Sequence, residues 1–150
     1  PDELLAILAS KSRDNGRTPM QWDASHNAGF TEGEPWIGVC DNYETVNARA
    51  ALDDADSVFY TYQSLIHLRK TLPVLTWGDY EDLLPEHPSL WCYRRQWQGQ
   101  TLMVVANLSH TPQEWQTEAL SDKSQVLMSN YPAPQTTSLR PFEAVWWLQQ

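Results

Sequence analysis

The sequence predicts a mainly β protein in which residues 71–150 form an antiparallel β-sandwich or meander. Apolar residues repeat with a period of two after Pro73, whereas the stretch before it has a helical period. Short runs of this kind follow one another and are separated by proline and glycine. Many short strands at such a spacing are typical of antiparallel all-β folds.

The composition limits the functions that the chain can have. Its 150 residues include 19 acidic and 10 basic side chains, which gives a formal net charge of −9. Because this charge repels the phosphate backbone, we expect no nucleic-acid partner. No run approaches the roughly 18 apolar residues that a membrane helix needs, and acids rather than bases follow Pro1. We therefore expect a cytoplasmic protein without a membrane partner.

Residues 1–56 predict short helices on either side of a long irregular segment. Residues 1–11 begin with proline and two acids and end with a lysine, which favours a short helix. Residues 12–43 are rich in Gly, Pro, Asn and Asp, and an irregular segment of this length is typical of functional loops. Residues 46–52 fit a second short helix.

A clearer helix is predicted for residues 57–70, with Asp54 and Asp56 as N-cap candidates. Basic residues at its end suit the helix dipole, and Pro73 ends the element. Its apolar side is expected to pack on the sandwich and consists of Val58, Tyr62, Leu65 and Ile66.

The strand candidates of the sandwich have alternating polarity and are bounded by turn residues. Gln98-Gly99 separates two of the strongest runs, and this spacing predicts a tight hairpin. The candidate strands are residues 74–77, 89–95, 101–108, 113–115, 125–128 and 142–148.

Taken alone, the sequence contains little catalytic material. Its acids are not paired with a base in a recognisable motif, and its four histidines are isolated. Cys40 and Cys92 are far apart and have no histidine at metal-ligand spacing, which predicts two reduced structural thiols. We therefore expect no metal, no cofactor and no catalytic residue. The 8 tryptophans indicate either stacking on sugars or bases, or an aromatic core.

The segment of residues 11–23 is the exception. Arg13 and Arg17 carry planar donor forks suited to carboxylates or paired hydroxyls. Asn15-Gly16 turns the chain between them, and Trp22 offers a stacking face. These residues leave two interpretations open: a binding loop, or a structural loop with internal Arg–Asp pairing.

This segment also carries a resemblance to a known family. The run SRDNGRTPMQW at residues 12–22, followed by NAGFT at residues 27–31 and PWI at residues 35–37, resembles the oligo-1,6-glucosidase group of the α-amylase family. The resembling segment there follows the last barrel strand. The similarity continues through short matches into the terminal sandwich, at residues 42–43, 46–47, 56–59, 65–70 and 78–80.

The resemblance implies a retaining glycosidase on a (β/α)8 barrel, with an Asp nucleophile, a Glu acid/base and a third Asp at barrel strand ends. None of the three falls in this sequence, which implies a C-terminal part that is inactive by itself. Residues 1–70 would be the last loop-and-helix segment of the barrel, and residues 71–150 the C-terminal antiparallel β-sandwich. The catalytic barrel of the same protein is the expected partner.

The resemblance also implies roles for the two arginines of the loop. Arg17 would meet the non-reducing glucose at the cleavage subsite of the complete enzyme. Arg13 is the second candidate substrate-binding residue, and together with Asp14 it would brace the loop.

A narrower resemblance concerns the substrate. Residues 83–95 and 139–147 are similar to members of the family that hydrolyse a phosphorylated disaccharide, which is therefore the expected substrate. A neighbouring alternative is an oligo-1,6-glucosidase that acts on isomaltose-like ends. An alternative of a different class is a carbohydrate-binding or purely structural β-sandwich, in which some tryptophans form an exposed sugar platform.

Overall fold

The computed structural model describes residues 2–11, 13–116, 120 and 123–150, and the chain divides into two compact units. The first unit comprises Pro1–Leu65 and the second comprises Ile66–Gln150. None of the helices in the described parts of the chain is both long and apolar enough to cross a membrane.

Short helices and turns build the first unit. Helix α1 covers Asp2–Lys11 and helix α2 covers Ala48–Asp53, so both predicted short helices are confirmed. Between them, the described residues form two 3-10 turns, at Arg13–Gly16 and His26–Gly29, and otherwise irregular backbone. The prediction of a long irregular segment is also confirmed.

Helix α3 covers Val58–Thr71 and continues from the first unit into the second. Its first hydrogen bond joins the N–H of Thr61 to the carbonyl oxygen of Ser57 at 3.2 Å, which places Ser57 at the N-cap position. The Asp54 carboxylate instead accepts the N–H of Asp56 at 3.0 Å. The prediction of Asp54 and Asp56 as caps is therefore wrong, because Asp54 stabilises the turn that precedes the helix.

Helix α3 leaves its predicted packing side exposed. Val58 is 72% exposed, Tyr62 64% and Ile66 51%, so the predicted packing is wrong for these three residues, whereas Leu65 is half-buried. Leu68 packs against the core of the second unit instead, together with Leu72. At about 100° per residue, Leu68 lies on the opposite side of the helix from Ile66.

The strand pairs in the described part of the second unit are antiparallel. A five-stranded sheet has the order β1-β2-β3-β7-β5, and a two-stranded sheet pairs β4 with β6. The strands are β1 Asp79–Asp82, β2 Leu90–Trp97, β3 Gln100–Asn107, β4 Gln113–Glu114, β5 Gln125–Ser129, β6 Ser138–Leu139 and β7 Ala144–Gln149. Five predicted strands are confirmed, as β2, β3, β4, β5 and β7, whereas the sequence analysis does not predict β1 or β6.

The two sheets form the predicted β-sandwich. Leu139 of β6 and Trp115, which follows β4, are buried against one face of the large sheet. The residues of that face alternate along their strands, as a pleated sheet requires. They are Leu90, Cys92, Met103, Val105, Val145 and Trp147.

Residues 74–77 form the one-turn helix α4, Val74–Trp77, and the prediction of a strand is wrong. Pro73 has helical dihedral angles, φ −54° and ψ −33°, and its carbonyl oxygen accepts the N–H of Trp77 at 2.8 Å. Val74 and Leu75 are buried on the other face of the large sheet. A four-residue apolar run suits a buried helical turn as well as a strand, because its periodicity does not separate them.

Arg95 of β2 fixes the end of helix α4. Its guanidinium donates to the carbonyl oxygen of Leu75 at 3.0 Å and to that of Gly78 at 2.7 Å. Carbonyl groups at a helix end have no partner inside the helix, so the arginine completes the turn. Glycine is required at position 78, because a Cβ there would lie 2.5 Å from the carbonyl oxygen of Val74.

The predicted hairpin between β2 and β3 is confirmed. Trp97 pairs with Gln100, and the two residues between them have positive φ angles, 44° at Gln98 and 85° at Gly99. Positive φ at both central residues is the geometry of the tight hairpin turn that matches strand twist.

Both cysteines are free thiols, as predicted. Cys92 is 1% exposed, and burial raises its pKa to about 11, with a smaller contribution from Asp82. A thiol in that state is a small apolar core residue.

Candidate functional site

Arg13 and Arg17 flank a tight turn in the first unit. Arg13–Gly16 form a 3-10 turn, and the N–H of Arg17 donates to the carbonyl oxygen of Asp14 at 2.9 Å. Both arginine side chains are exposed.

The chain after this turn is bonded to helix α2. The carbonyl oxygen of Gln21 accepts the N–H of Ala48 at 2.9 Å, and that of Trp22 accepts the N–H of Arg49 at 3.0 Å. The first N–H groups of a helix have no partner inside it and need acceptors from elsewhere. The loop therefore supplies two of the acceptors that the start of α2 requires.

Side chains complete the connection between the loop and α2. Asn47 caps the helix, because its Oδ1 accepts the N–H of Ala50 at 2.8 Å. The amide nitrogen of Gln21 donates to Oδ1 of Asn42 at 3.1 Å and to the carbonyl oxygen of Val46. Gln21 and Trp22 are thereby held on the segment that leads into α2.

A left-handed turn follows the loop. Asn27, Ala28 and Gly29 have φ angles of 52°, 57° and 66°, which cost an L-residue with a side chain roughly 1–2 kcal/mol each. Ala28 is fully buried, and its carbonyl oxygen accepts the N–H groups of Trp22 at 2.8 Å and of Asp23 at 3.3 Å. These hydrogen bonds offset the strain and connect the turn to the loop.

An open cleft of about 650 Å³ lies at this turn. The Asp23 carboxylate on its wall accepts the N–H of Ser25 at 2.9 Å and also the Ser25 hydroxyl, and these hydrogen bonds lower the pKa of Asp23. A Cβ at Gly29 would lie 2.8 Å from Oδ1 of Asp23, so only glycine fits there. The lining residues are Asp23, Ser25, His26, Gly29, Phe30, Thr31 and Glu32.

The pKa values of Asp23 and Glu143 lie below the ordinary range of a carboxyl group. Hydrogen bonds from Ser25 lower the pKa of Asp23, and a hydrogen bond from the Arg140 side chain lowers that of Glu143. The acid of a glycosidase needs a pKa raised toward neutrality, so neither group suits that role. The described residues also contain no cluster of His, Cys, Asp and Glu that could hold a metal ion.

The tryptophans are distributed between core and surface. Trp115 and Trp147 are buried, with ring centroids 5.5 Å apart. Trp36 is 99% exposed in the first unit, and Trp91 is 48% exposed in the second, where its ring lies 5.1 Å from that of Tyr93. Exposed rings occur in both units, so exposure alone does not single out a sugar platform.

The sequence analysis finds the two arginines but misses the residues that hold their segment. The role of Asn47 is predictable from the sequence, since an asparagine immediately before a helix is a preferred N-cap. Gln21 and Asn42 are 21 positions apart, and no local pattern predicts a hydrogen bond over that distance.

Comparison with known proteins identifies the class to which this fold and loop belong. Residues 1–78 match the α-amylase catalytic domain, and residues 80–146 match the C-terminal domain of maltogenic amylase. The first match covers more than half of the chain, which therefore belongs to the α-amylase family.

Individual relatives narrow the comparison. The chain is 63% identical to the trehalose-6-phosphate hydrolase of Escherichia coli K12, over 99% of the chain and 28% of that protein. It is 45% identical to an oligo-1,6-glucosidase of Heyndrickxia coagulans, over 99% of the chain and 27% of that protein. The crystal structure of trehalose-6-phosphate hydrolase from Bacillus licheniformis matches with a TM-score of 0.88 at 39% identity, over 99% of this chain and 28% of that one. The chain thus spans about 28% of the length of these relatives.

Proposed function

We propose that the protein containing this chain is a retaining α-glucosidase that hydrolyses trehalose 6-phosphate to glucose and glucose 6-phosphate. The observation that carries the proposal is the 63% identity to the Escherichia coli trehalose-6-phosphate hydrolase over 99% of the chain. The oligo-1,6-glucosidase compared above reaches 45% over the same share of the chain. We place the reaction in the cytoplasm, because the charge of a phosphorylated sugar opposes its passage through an apolar membrane.

The proposal assigns residues 1–70 to the end of a (β/α)8 catalytic barrel and residues 71–150 to the C-terminal β-sandwich. The match of residues 1–78 to the α-amylase catalytic domain supports this division, as does the separate compact unit Ile66–Gln150. The remainder of the barrel is then the partner of residues 1–70.

The chemistry would use two carboxyl groups about 5–5.5 Å apart, one as nucleophile and the other as acid and then base. We assign these groups to barrel strand ends outside these 150 residues. The lowered pKa values of Asp23 and Glu143 do not suit the acid role, which agrees with an acid that lies outside the described residues. The 150-residue chain by itself is then inactive.

Within this chain, we assign substrate binding to Arg17 and Arg13. Both guanidinium groups are exposed, on either side of a turn that the loop holds in place. Arg17 donates to hydroxyls of the non-reducing glucose, and its planar fork suits paired oxygen acceptors. Arg13 offers a second donor group on the other side of the turn and, with Asp14, braces it.

A second candidate function is an oligo-1,6-glucosidase that acts on isomaltose-like ends. It is favoured by the 45% identity to the Heyndrickxia coagulans enzyme and by 42% identity to that of Halalkalibacterium halodurans. The two candidates share the glucose that Arg17 would bind and differ in the group beyond the cleaved bond.

The experiment is to measure kcat/KM of the full-length protein with trehalose 6-phosphate and with isomaltose. We expect a preference of at least about 100-fold for trehalose 6-phosphate, since a site with polar groups built for a phosphate rejects a substrate without one. The reverse preference would establish the second candidate. Sugar release by the 150-residue chain alone would contradict the assignment of the catalytic carboxyl groups.

A further inference from the structure

The turn at Arg13–Gly16 is followed by Gln21, whose side chain makes two hydrogen bonds that we call the clamp. Its Nε2 donates to Oδ1 of Asn42 at 3.1 Å and to the carbonyl oxygen of Val46. We infer that Gln21 is a positioning residue, which through these two hydrogen bonds fixes the place where Arg17 presents its guanidinium. The inference rests on the proposed function in one respect, namely that Arg17 binds the sugar.

The Gln21 amide acts on the protein rather than on a ligand. A glutamine amide has two N–H donors, and the structure directs both to acceptors of its own unit. No amide hydrogen of Gln21 remains for a sugar hydroxyl, so both donors of this side chain act on the protein.

The acceptors of the clamp belong to one turn. The carbonyl oxygen of Asn42 accepts the N–H of Thr45 at 3.1 Å and that of Val46 at 2.8 Å. These bonds fold the backbone of residues 42–46 into a turn without any contribution from Gln21. The clamp has a defined geometry, because a hydrogen-bonded turn has few alternative conformations.

Arg17 lies between this clamp and a second fixed point. On one side, its N–H closes the turn by donating to the carbonyl oxygen of Asp14 at 2.9 Å. On the other side, Thr18 and Pro19 are half-buried, and the proline ring fixes one backbone dihedral angle. Without the clamp, Gln21 keeps only its backbone hydrogen bond with Ala48 among the described residues. Because the link from Gln21 to Arg17 is short, we expect loss of the two side-chain hydrogen bonds to shift Arg17.

A double-mutant cycle in the full-length protein tests the inference with Gln21→Met and Arg17→Ala. Methionine keeps the length of the side chain and removes both donors. We expect Gln21→Met to lower kcat/KM for trehalose 6-phosphate about tenfold, and to cause no further loss when Arg17 is already alanine. Gln125→Met makes the same change at an exposed position of β5 and should leave kcat/KM unchanged.

The acceptor side of the clamp gives an independent pair of variants. Asn42→Asp keeps an acceptor oxygen for Gln21 and should retain most of kcat/KM, whereas Asn42→Leu removes it and should match Gln21→Met. If Gln21→Met fails to fold, this pair supplies the same cycle with Arg17→Ala. The melting temperature of each variant is measured in parallel.

The outcomes separate the inference from the proposed function. Losses that add in the cycle, or that follow the melting temperature across all variants, overturn the positioning role and leave the substrate role of Arg17 intact. A wild-type kcat/KM for Arg17→Ala overturns the substrate role and the positioning role together. Dependence of the Gln21 and Asn42 effects on an intact Arg17 establishes the inference.

Discussion

The two compact units differ in what holds them together. Among the described residues of the first unit, Ala28 is the one buried hydrophobic side chain. The other buried hydrophobic residues that the structure describes lie in the second unit, in two clusters on the two faces of the large sheet. Burial of apolar surface is the dominant favourable contribution to folding, so the second unit contains the stabilising core.

The first unit is held by hydrogen bonds between turns, and most of its large apolar side chains are exposed. Helix α1 shows this most clearly, since its side chains are between 49% and 63% exposed at Leu4, Leu5, Ile7 and Leu8. A helix that is apolar and exposed lacks the partner it requires. In the proposed enzyme that partner is the remainder of the catalytic barrel.

The difference shows that the candidate binding residues and the stabilising core lie in different units of the chain. The arginines assigned to substrate lie in the unit without a core, where Gln21 and the start of α2 set the local geometry. The unit with a core carries no residue to which we assign a substrate contact. Binding loops are commonly placed on a scaffold that supplies the stability.

Separating the units should produce the largest effect. We expect residues 66–150 expressed alone to unfold in one cooperative thermal transition, because both core clusters lie within that range. Residues 1–65 alone should show no cooperative transition, which circular dichroism with temperature would reveal. A cooperative transition in residues 1–65 would contradict the contrast drawn here.

A substitution that creates a cavity in the core of the second unit should have the next largest effect, on the free energy of unfolding. Leu102 of β3 is fully buried, and Leu102→Ala should lower the free energy of unfolding of the chain by about 2–5 kcal/mol. Leu108→Ala makes the same change at a side chain that is 64% exposed, and should alter it by less than about 0.5 kcal/mol. Urea titration measures both, and equal losses would show that burial does not distinguish the sites.

The buried Glu143 makes the stability of the second unit depend on pH. Its side chain is 1% exposed and accepts hydrogen bonds from the backbone N–H and the guanidinium of Arg140, both at 2.7 Å. The guanidinium hydrogen bond lowers the pKa of Glu143, so its stabilisation is present above the ordinary value of 4.5 and is lost as the pH falls through the lowered pKa.

Glu143→Gln removes this titration and should lower the free energy of unfolding by about 1–3 kcal/mol at pH 7. The difference between wild type and variant should shrink as the pH falls below 4.5, in urea titrations repeated at several pH values. Glu86→Gln at an exposed position is the control. A difference that stays constant or grows in acid would reverse the sign argued here.

The smallest effect is expected in the first unit, at the left-handed turn. Gly29 has a φ of 66°, and a Cβ there would meet the Asp23 carboxylate at 2.8 Å, whereas a Cβ at Gly38 would meet nothing within 4 Å. Gly29→Ala should cost about 1–2 kcal/mol locally. Amide hydrogen exchange at Trp22, whose N–H donates to Ala28, should accelerate in that variant and not in Gly38→Ala.

Predictions from the sequence succeed where the structure has a local cause. The hairpin at Gln98-Gly99 follows from turn chemistry, and the sandwich follows from the period of the apolar residues. The prediction of a strand at residues 74–77 is wrong, because the periodicity of a short apolar run does not distinguish a strand from a buried helical turn. Strand β6 has two residues, too few for any period.

The candidate site likewise has a part that the sequence predicts and a part that it does not. The loop with Arg13 and Arg17 is visible in the sequence, because its residue types and its family resemblance both single it out. The clamp from Gln21 to Asn42 and Val46 depends on contacts between distant positions. Which side of helix α3 is buried also depends on tertiary packing. This explains why Leu68 rather than Ile66 packs against the core.

The most direct test of the account is the effect of Arg17 on catalysis by the full-length protein. kcat/KM is measured for wild type, Arg17→Ala and Arg17→Lys with trehalose 6-phosphate and with an unphosphorylated α-glucoside. We expect a loss of more than about tenfold with both substrates, since both share the non-reducing glucose, and no rescue by lysine, which lacks the planar fork. A loss confined to the phosphorylated substrate would move Arg17 to a phosphate site, and unchanged kcat/KM would contradict its role in binding.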